Sequence, residues 1–241
     1  MVYLGLEMKK MKRRKFLLVL TFVCFVTAII QYAMGNMTYC GVKYGSEVGW
    51  FFKNGLTTNS YYLLIPIFSL VGMELFLLEV RNNTLNNLLS IPIRKGDLIK
   101  SKMLLLFIIS VIYTMLLFLL MFVLELSLNI NSLDTGIVFL YIARYLVHGV
   151  ICFIISAFIV SIMLYLEQSI QVAVVTGFVL SFLGVFISQT EIAYIYFVNA
   201  MFYISGVVDS TVFEKLIASS VVLFIAVLAL FFYGKSVKRE F

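Results

Sequence analysis

Few residues in this sequence could do chemistry, and their spacing narrows the options further. His148 is the single histidine, so no metal site with two histidines can be assembled from the chain. It lies in an apolar stretch, four residues after Arg144. An imidazole there is ordinarily satisfied by a neighbouring helix, and the competing reading is a proton relay or ligand. Glu74 is the other ionisable residue within an apolar stretch, near the end of one. Cys24 and Cys152 sit in apolar runs and Cys40 in a loop; without a CxxC pair or an even count they read as small hydrophobes. No HExxH, GxSxG or paired acidic motif occurs. Residues 229–236, ALFFYGKS, match the loose form of a phosphate-binding loop. That loop needs a Gly-rich turn between a strand and a helix, whereas the first five residues here close a long apolar run. Lys235 is then a snorkelling interfacial residue. Neither catalysis nor a cofactor of its own is expected of this chain.

The elements that must position these residues follow from composition. Of 241 residues 63% are hydrophobic and 12% charged, with a mean hydropathy of +1.08, and that leaves too little polar surface to face water. The solvent is lipid. Six stretches approach the roughly 20 apolar residues that a membrane crossing needs: 16–34, 61–78, 103–124, 145–166, 170–187 and 216–233. Each is too long and too evenly apolar for a barrel strand, so the expected fold is an all-α membrane protein with six transmembrane helices. A seventh stretch, 194–208, is short and interrupted by Asn199 and a Ser-Gly pair. It reads as a re-entrant or interfacial element in the last outer loop, 188–215.

Charge orients the bundle. Six basic residues precede the first span, five lie between the second and third (Arg81, Arg94, Lys95, Lys100, Lys102), and three are in the tail; Lys43, Lys53, Arg144 and Lys215 fall on the other face. Both ends are therefore expected inside. The net charge of +6 is a topology signal, and nucleic-acid binding is not expected. The first apolar run has 19 residues and no clear A-x-A exit, so it reads as a retained span rather than a signal peptide. The chain divides into a cytoplasmic amphipathic segment, 1–15, and a six-helix domain, 16–241. In the former, Leu4, Met8 and Met11 form an apolar stripe among basic residues, suited to an inner leaflet of anionic lipids.

The one substantial inner loop, 79–102, reads EVRNNTLNNLLSIPIRKGDLIKSK. Leu85, Leu88 and Leu89 give a short helix one apolar stripe, Pro92 ends it, and Asp97 suits the N-cap of a helix running into the third span. Three leucines on a cytoplasmic helix call for a cover, and a partner protein is the preferred one. With only Glu74 and His148 inside the spans, an ion-driven carrier is disfavoured. The rival reading, a stand-alone channel or ion-coupled carrier, would act without a partner and depend on those two residues.

The basic N-terminal segment, the E-(x)4-T-L-(x)2-L-L-S-x-P-(x)4-D-(x)4-K pattern over 79–102 and the six-span layout resemble ABC-2-type ABC transporter permeases. The short length and lack of a large outer domain are similar to the membrane subunits of lantibiotic-immunity exporters. The resemblance implies that 79–102 is a coupling helix, with Glu79, Thr84, Leu85, Leu88, Leu89, Pro92 and Lys102 on the family pattern and Asn83 where the family often has Gly. It implies a separate ABC ATPase subunit that holds ATP and magnesium, a second permease subunit, a bacterial cell membrane as the location, and antimicrobial peptides as cargo.

Overall fold

The structure, a computed structural model, describes residues 5, 8, 11, 16–81 and 95–240. It is a helical bundle in which six helices are long and apolar enough to cross a membrane.

α1 (Phe16–Asn36) is followed by a small antiparallel hairpin, β1 (Thr38–Tyr39) and β2 (Val42–Lys43), and a 3₁₀ turn, Tyr44–Ser46. α2 (Trp50–Asn59) then passes through a π turn, Ser60–Leu64, directly into α3 (Ile65–Arg81). The cause of the wide turn is in the sequence: Pro66 has no N–H to give, and its ring would strike the carbonyl one turn back in a regular helix. A turn with one extra residue relieves both problems and lets the span continue.

α4 (Lys95–Asn129) returns, followed by α5 (Thr135–Tyr165), α6 (Ile170–Ile187), a 3₁₀ turn at Ala193–Ile195, the short α7 (Phe197–Ser205) and α8 (Val212–Glu240). α8 starts on a capping box: the Thr211 N–H donates to Glu214 Oε2 at 2.7 Å and the Glu214 N–H donates to Thr211 Oγ1 at 3.3 Å. α5 is the hub, packed along α3, α4 and α8 and touching α6 and α7. α1 lies outside, against α4 and α2, and α6 lies against α3. The exposed faces of the outer helices are apolar, with Phe22 and Ile29 on α1, Val175 and Phe186 on α6, and Leu223, Phe224 and Leu230 on α8. These are surfaces for lipid.

The six expected spans are all present, and the structure moves most of their boundaries. The second crossing is Trp50–Leu77 rather than 61–78, so most of 50–60 is helix and not outer loop. Lys53, Asn54, Thr57, Thr58 and Asn59 lower the hydropathy of that stretch, but their polarity is absorbed locally. The Thr57 hydroxyl donates to the Lys53 carbonyl, Asn59 Nδ2 to the Gly55 carbonyl, and Asn54 Nδ2 to Gln31 Oε1 on α1. The third crossing extends to Ile99–Asn129 and the fourth to Thr135–Tyr165, which takes Arg144 out of the outer loop and into a helix. α4 begins at Lys95, so Asp97 lies in its first turn rather than at its cap. The interrupted seventh stretch is α7, buried by the bundle and too short to cross, so the sixth crossing is Val212–Ser236.

α6 shows how closely these helices approach. Its buried residues are Ala173, Gly177, Ser181 and Gly184, one small residue per turn. A Cβ on Gly177 would lie 3.3 Å from the Pro66 Cα and 3.1 Å from Ser69 Oγ. Where lipid is the alternative partner, such small-residue contact is what holds helices together.

Candidate functional site

Polar side chains buried in the outer half of the bundle tie α2, α4, α5 and α7 together. The first node is Glu125, which has no exposure at all. It accepts hydrogen bonds from the Gly49 N–H at 2.7 Å, the Phe51 N–H at 3.2 Å and Asn129 Nδ2 at 2.8 Å. Gly49 is the N-cap of α2, so a carboxylate on one helix satisfies the orphan N–H groups and positive dipole end of another. Asn129 Nδ2 also reaches the Gly45 carbonyl at 2.9 Å, extending the node to the 3₁₀ turn.

The second node is the mirror of the first. α7 ends on Gly206 at φ 70°, the left-handed geometry that glycine adopts without a Cβ penalty. The Gly206 carbonyl accepts a hydrogen bond from the Arg144 guanidinium, which also lies 4.9 Å over the ring of Tyr141. A cation thus closes the negative end of this short helix. Tyr141 stacks on Phe52, and the Tyr145 hydroxyl donates to the Phe52 carbonyl at 3.1 Å, binding α5 to α2 at the same level.

The third node is His148, fully buried. Its Nδ1 is 2.9 Å from Ser60 Oγ, the first residue of the π turn, and its Nε2 is 2.9 Å from Ser205 Oγ, the last residue of α7. One imidazole therefore spans both irregular elements, with the Phe202 ring edge-on at 4.9 Å. Tyr61, next in the π turn, stacks on Phe202 and donates to Asn199 Oδ1 at 3.0 Å. Among the described residues, Asn59 Oδ1, Asn199 Nδ2 and Arg144 Nε are buried polar atoms without a hydrogen-bond partner. Tyr196 anchors the start of α7 by donating to the Leu180 carbonyl at 2.6 Å; burial pushes its phenol up to about 12, so it stays a donor.

Chemically, this arrangement positions rather than reacts. Ser60 and His148 are a hydroxyl and an imidazole in contact, but the imidazole's other nitrogen meets a second hydroxyl and no carboxylate orients it as a base. Among the described residues no three His, Cys, Asp or Glu side chains gather as metal ligands. Above the network, Glu47, Trp50, Lys53, Asn54, Thr57 and Tyr141 line a polar pocket of about 540 Å³.

The structure separates the sequence-predicted residues. His148 belongs to the outer network, while Glu74 is fourteen residues beyond Ser60, about 21 Å along the helix, so the two do not form one relay. Lys102 is buried, with its ammonium 5.4 Å over the ring of Phe76, and joins α4 to α3 near the inner end. Glu79 lies on the last turns of α3. Thr84, Leu85, Leu88, Leu89 and Pro92 lie outside the described residues. Of the N-terminal stripe, Met8 and Met11 line an apolar groove with Leu105, Ile109 and Tyr113 of α4. Glu125 and Arg144 lie just beyond the apolar stretches 103–124 and 145–166, so hydropathy does not mark either of them.

A family model described as ABC-2 family transporter protein matches residues 3–184, about three-quarters of the chain. The match runs from the N-terminal segment into the last turn of α6 and stops short of α7 and α8. No curated protein and no solved structure matches.

Proposed function

The chain belongs to the ABC-2 transporter family, and from that premise we propose that it is the permease of an exporter that expels antimicrobial peptides such as lantibiotics from a bacterial cell membrane. Membership makes it the membrane permease subunit of an ABC transporter, a transport rather than a catalytic chain that works with an ABC ATPase. In our reading two permeases pair, ATP and magnesium bind the ATPase, and segment 79–102 is the docking handle. The observation that carries the reading is the family match, which includes 79–102 and both helices it joins.

Several features support the mechanism. The handle begins on the last turn of α3 and ends on the first turns of α4, so a push from an ATPase acts along both. α3 continues into the π turn at Ser60–Leu64, a break in regular hydrogen bonding at which a helix bends most easily. The outer network holds that turn to α5 and α7 through His148 and Asn199, and motion of α3 exchanges these contacts while the handle moves. The outer pocket is lined by Glu47, Trp50 and Tyr141 together with Lys53, and in our reading the carboxylate and the rings are the groups a cationic amphipathic peptide would contact.

The test separates coupling from cargo. Leu88→Asp abolishes co-purification of the ATPase while the permease still inserts, and retained co-purification overturns the docking assignment. Deletion of the protein sensitises cells to a lantibiotic; unchanged sensitivity across a broad panel removes that cargo.

A further inference from the structure

We propose that the groove between α4, α5 and α8, at the end of the bundle that carries both termini, binds one anionic phospholipid from the adjoining leaflet. The groove has a volume of about 550 Å³, and its walls are almost wholly apolar, with Phe107 on α4, Phe153 and Ala157 on α5, and Leu230 on α8. Such a channel between spans suits an acyl chain. Its polar groups are few and specific.

Lys100 lines it from the second residue of the third crossing, exposed at the membrane boundary. Tyr233 lines it from the matching level of the sixth crossing, and its hydroxyl is buried without a hydrogen-bond partner. The Lys100 ammonium at the mouth of the channel is a donor for a phosphodiester whose chain occupies it, and the buried Tyr233 phenol, which has no partner of its own, becomes a second donor when its ring turns toward the headgroup. Among the described residues no Asp or Glu lines the groove, so an amine-bearing headgroup would meet no counter-charge among them. The site therefore selects a headgroup with net negative charge over a zwitterion.

This inference does not rest on the exporter reading; it is independent of cargo and of the ATPase. The test uses the full chain, purified in mild detergent and exposed to phosphatidylglycerol and phosphatidylcholine in equal amounts, with bound lipid counted by native mass spectrometry. The wild type retains one phosphatidylglycerol in preference to phosphatidylcholine. Lys100→Gln lowers phosphatidylglycerol retention about fivefold with little change in phosphatidylcholine, the loss expected for one basic residue at a membrane surface. Tyr233→Phe keeps the ring and lowers retention of both lipids, and Ala157→Phe fills the channel and excludes both. Equal phosphatidylglycerol retention in the wild type and all three variants overturns the proposal. So does efficient cross-linking between two chains through Leu104→Cys, introduced with Cys40→Ser, because the groove would then hold a second copy.

Discussion

At the scale of single residues, the strongest structural statement concerns Glu125. A carboxylate without solvent is tolerated when charge-assisted hydrogen bonds and a helix dipole replace the water, and here two backbone N–H groups and an amide do so. Glu125→Ala leaves those donors unpaired and removes the cap of α2, at an expected cost of about 2–3 kcal/mol. Glu125→Gln keeps one acceptor oxygen and loses less. Thermal unfolding in detergent checks this ranking; an alanine variant as stable as the wild type contradicts the capping role. His148 was legible in the sequence as a polar side chain seeking a neighbour across helices, but its partners were not. Ser60 and Ser205 carry no signal of their own, because serine is common in spans and bonds its own backbone as readily, as Ser156 and Ser181 do here. Glu125 and Arg144 are illegible for a different reason. Hydropathy ends a span at the first charge, whereas a charge paired with a helix terminus belongs inside.

At the scale of elements, the same physics explains both what was readable and what was not. Ile170–Ile187 has the same limits in sequence and structure, because the polar pairs Gln168–Ser169 and Ser188–Gln189 bracket the apolar run and Gln171, inside it, has apolar neighbours on both sides. The second crossing is longer than its hydropathy suggests because the polar residues Lys53, Asn54, Thr57, Thr58 and Asn59 precede its apolar part, and the π turn that continues the helix is visible in the sequence only as Pro66. The short α7 was legible by exclusion: a crossing there would place the basic tail on the wrong side. The small-residue stripe of α6, at 173, 177, 181 and 184, follows the four- and three-residue steps of one helix face and predicts a close neighbour without naming it. Gly177→Val tests that contact, since its Cβ would press on the Pro66 backbone, which cannot rotate away as a side chain can. Ala173 is also fully buried on this stripe, yet Ala173→Gly adds no atoms. Gly177→Val is expected to cut folded, detergent-extractable protein several-fold in size-exclusion profiles, while Ala173→Gly stays close to wild type. Equal profiles for the two would mean that α6 does not pack on α3 through this stripe.

At the scale of the whole molecule, every functional statement depends on which end of the bundle meets the cytoplasm. Six crossings return the chain to the side on which it began, and the basic residues choose that side. The protein carries its own reporter for this choice. Cys40 is exposed at the tip of the β1–β2 hairpin, while Cys24 and Cys152 are buried within helices. A membrane-impermeant maleimide added to intact cells is therefore expected to label the wild type at one site, and Cys40→Ser is expected to abolish the label. In that Cys40→Ser background, a cysteine introduced as Leu88→Cys should react only after the cells are permeabilised. The two sites must behave oppositely, because they lie at opposite ends of the crossing that runs from Trp50 to Leu77. Labelling of the introduced cysteine in intact cells would put segment 79–102 outside, beyond the reach of any ATPase. It would also turn the groove around Lys100 and Tyr233 toward the outer leaflet, so a single labelling pattern bears on the handle and on the lipid site together.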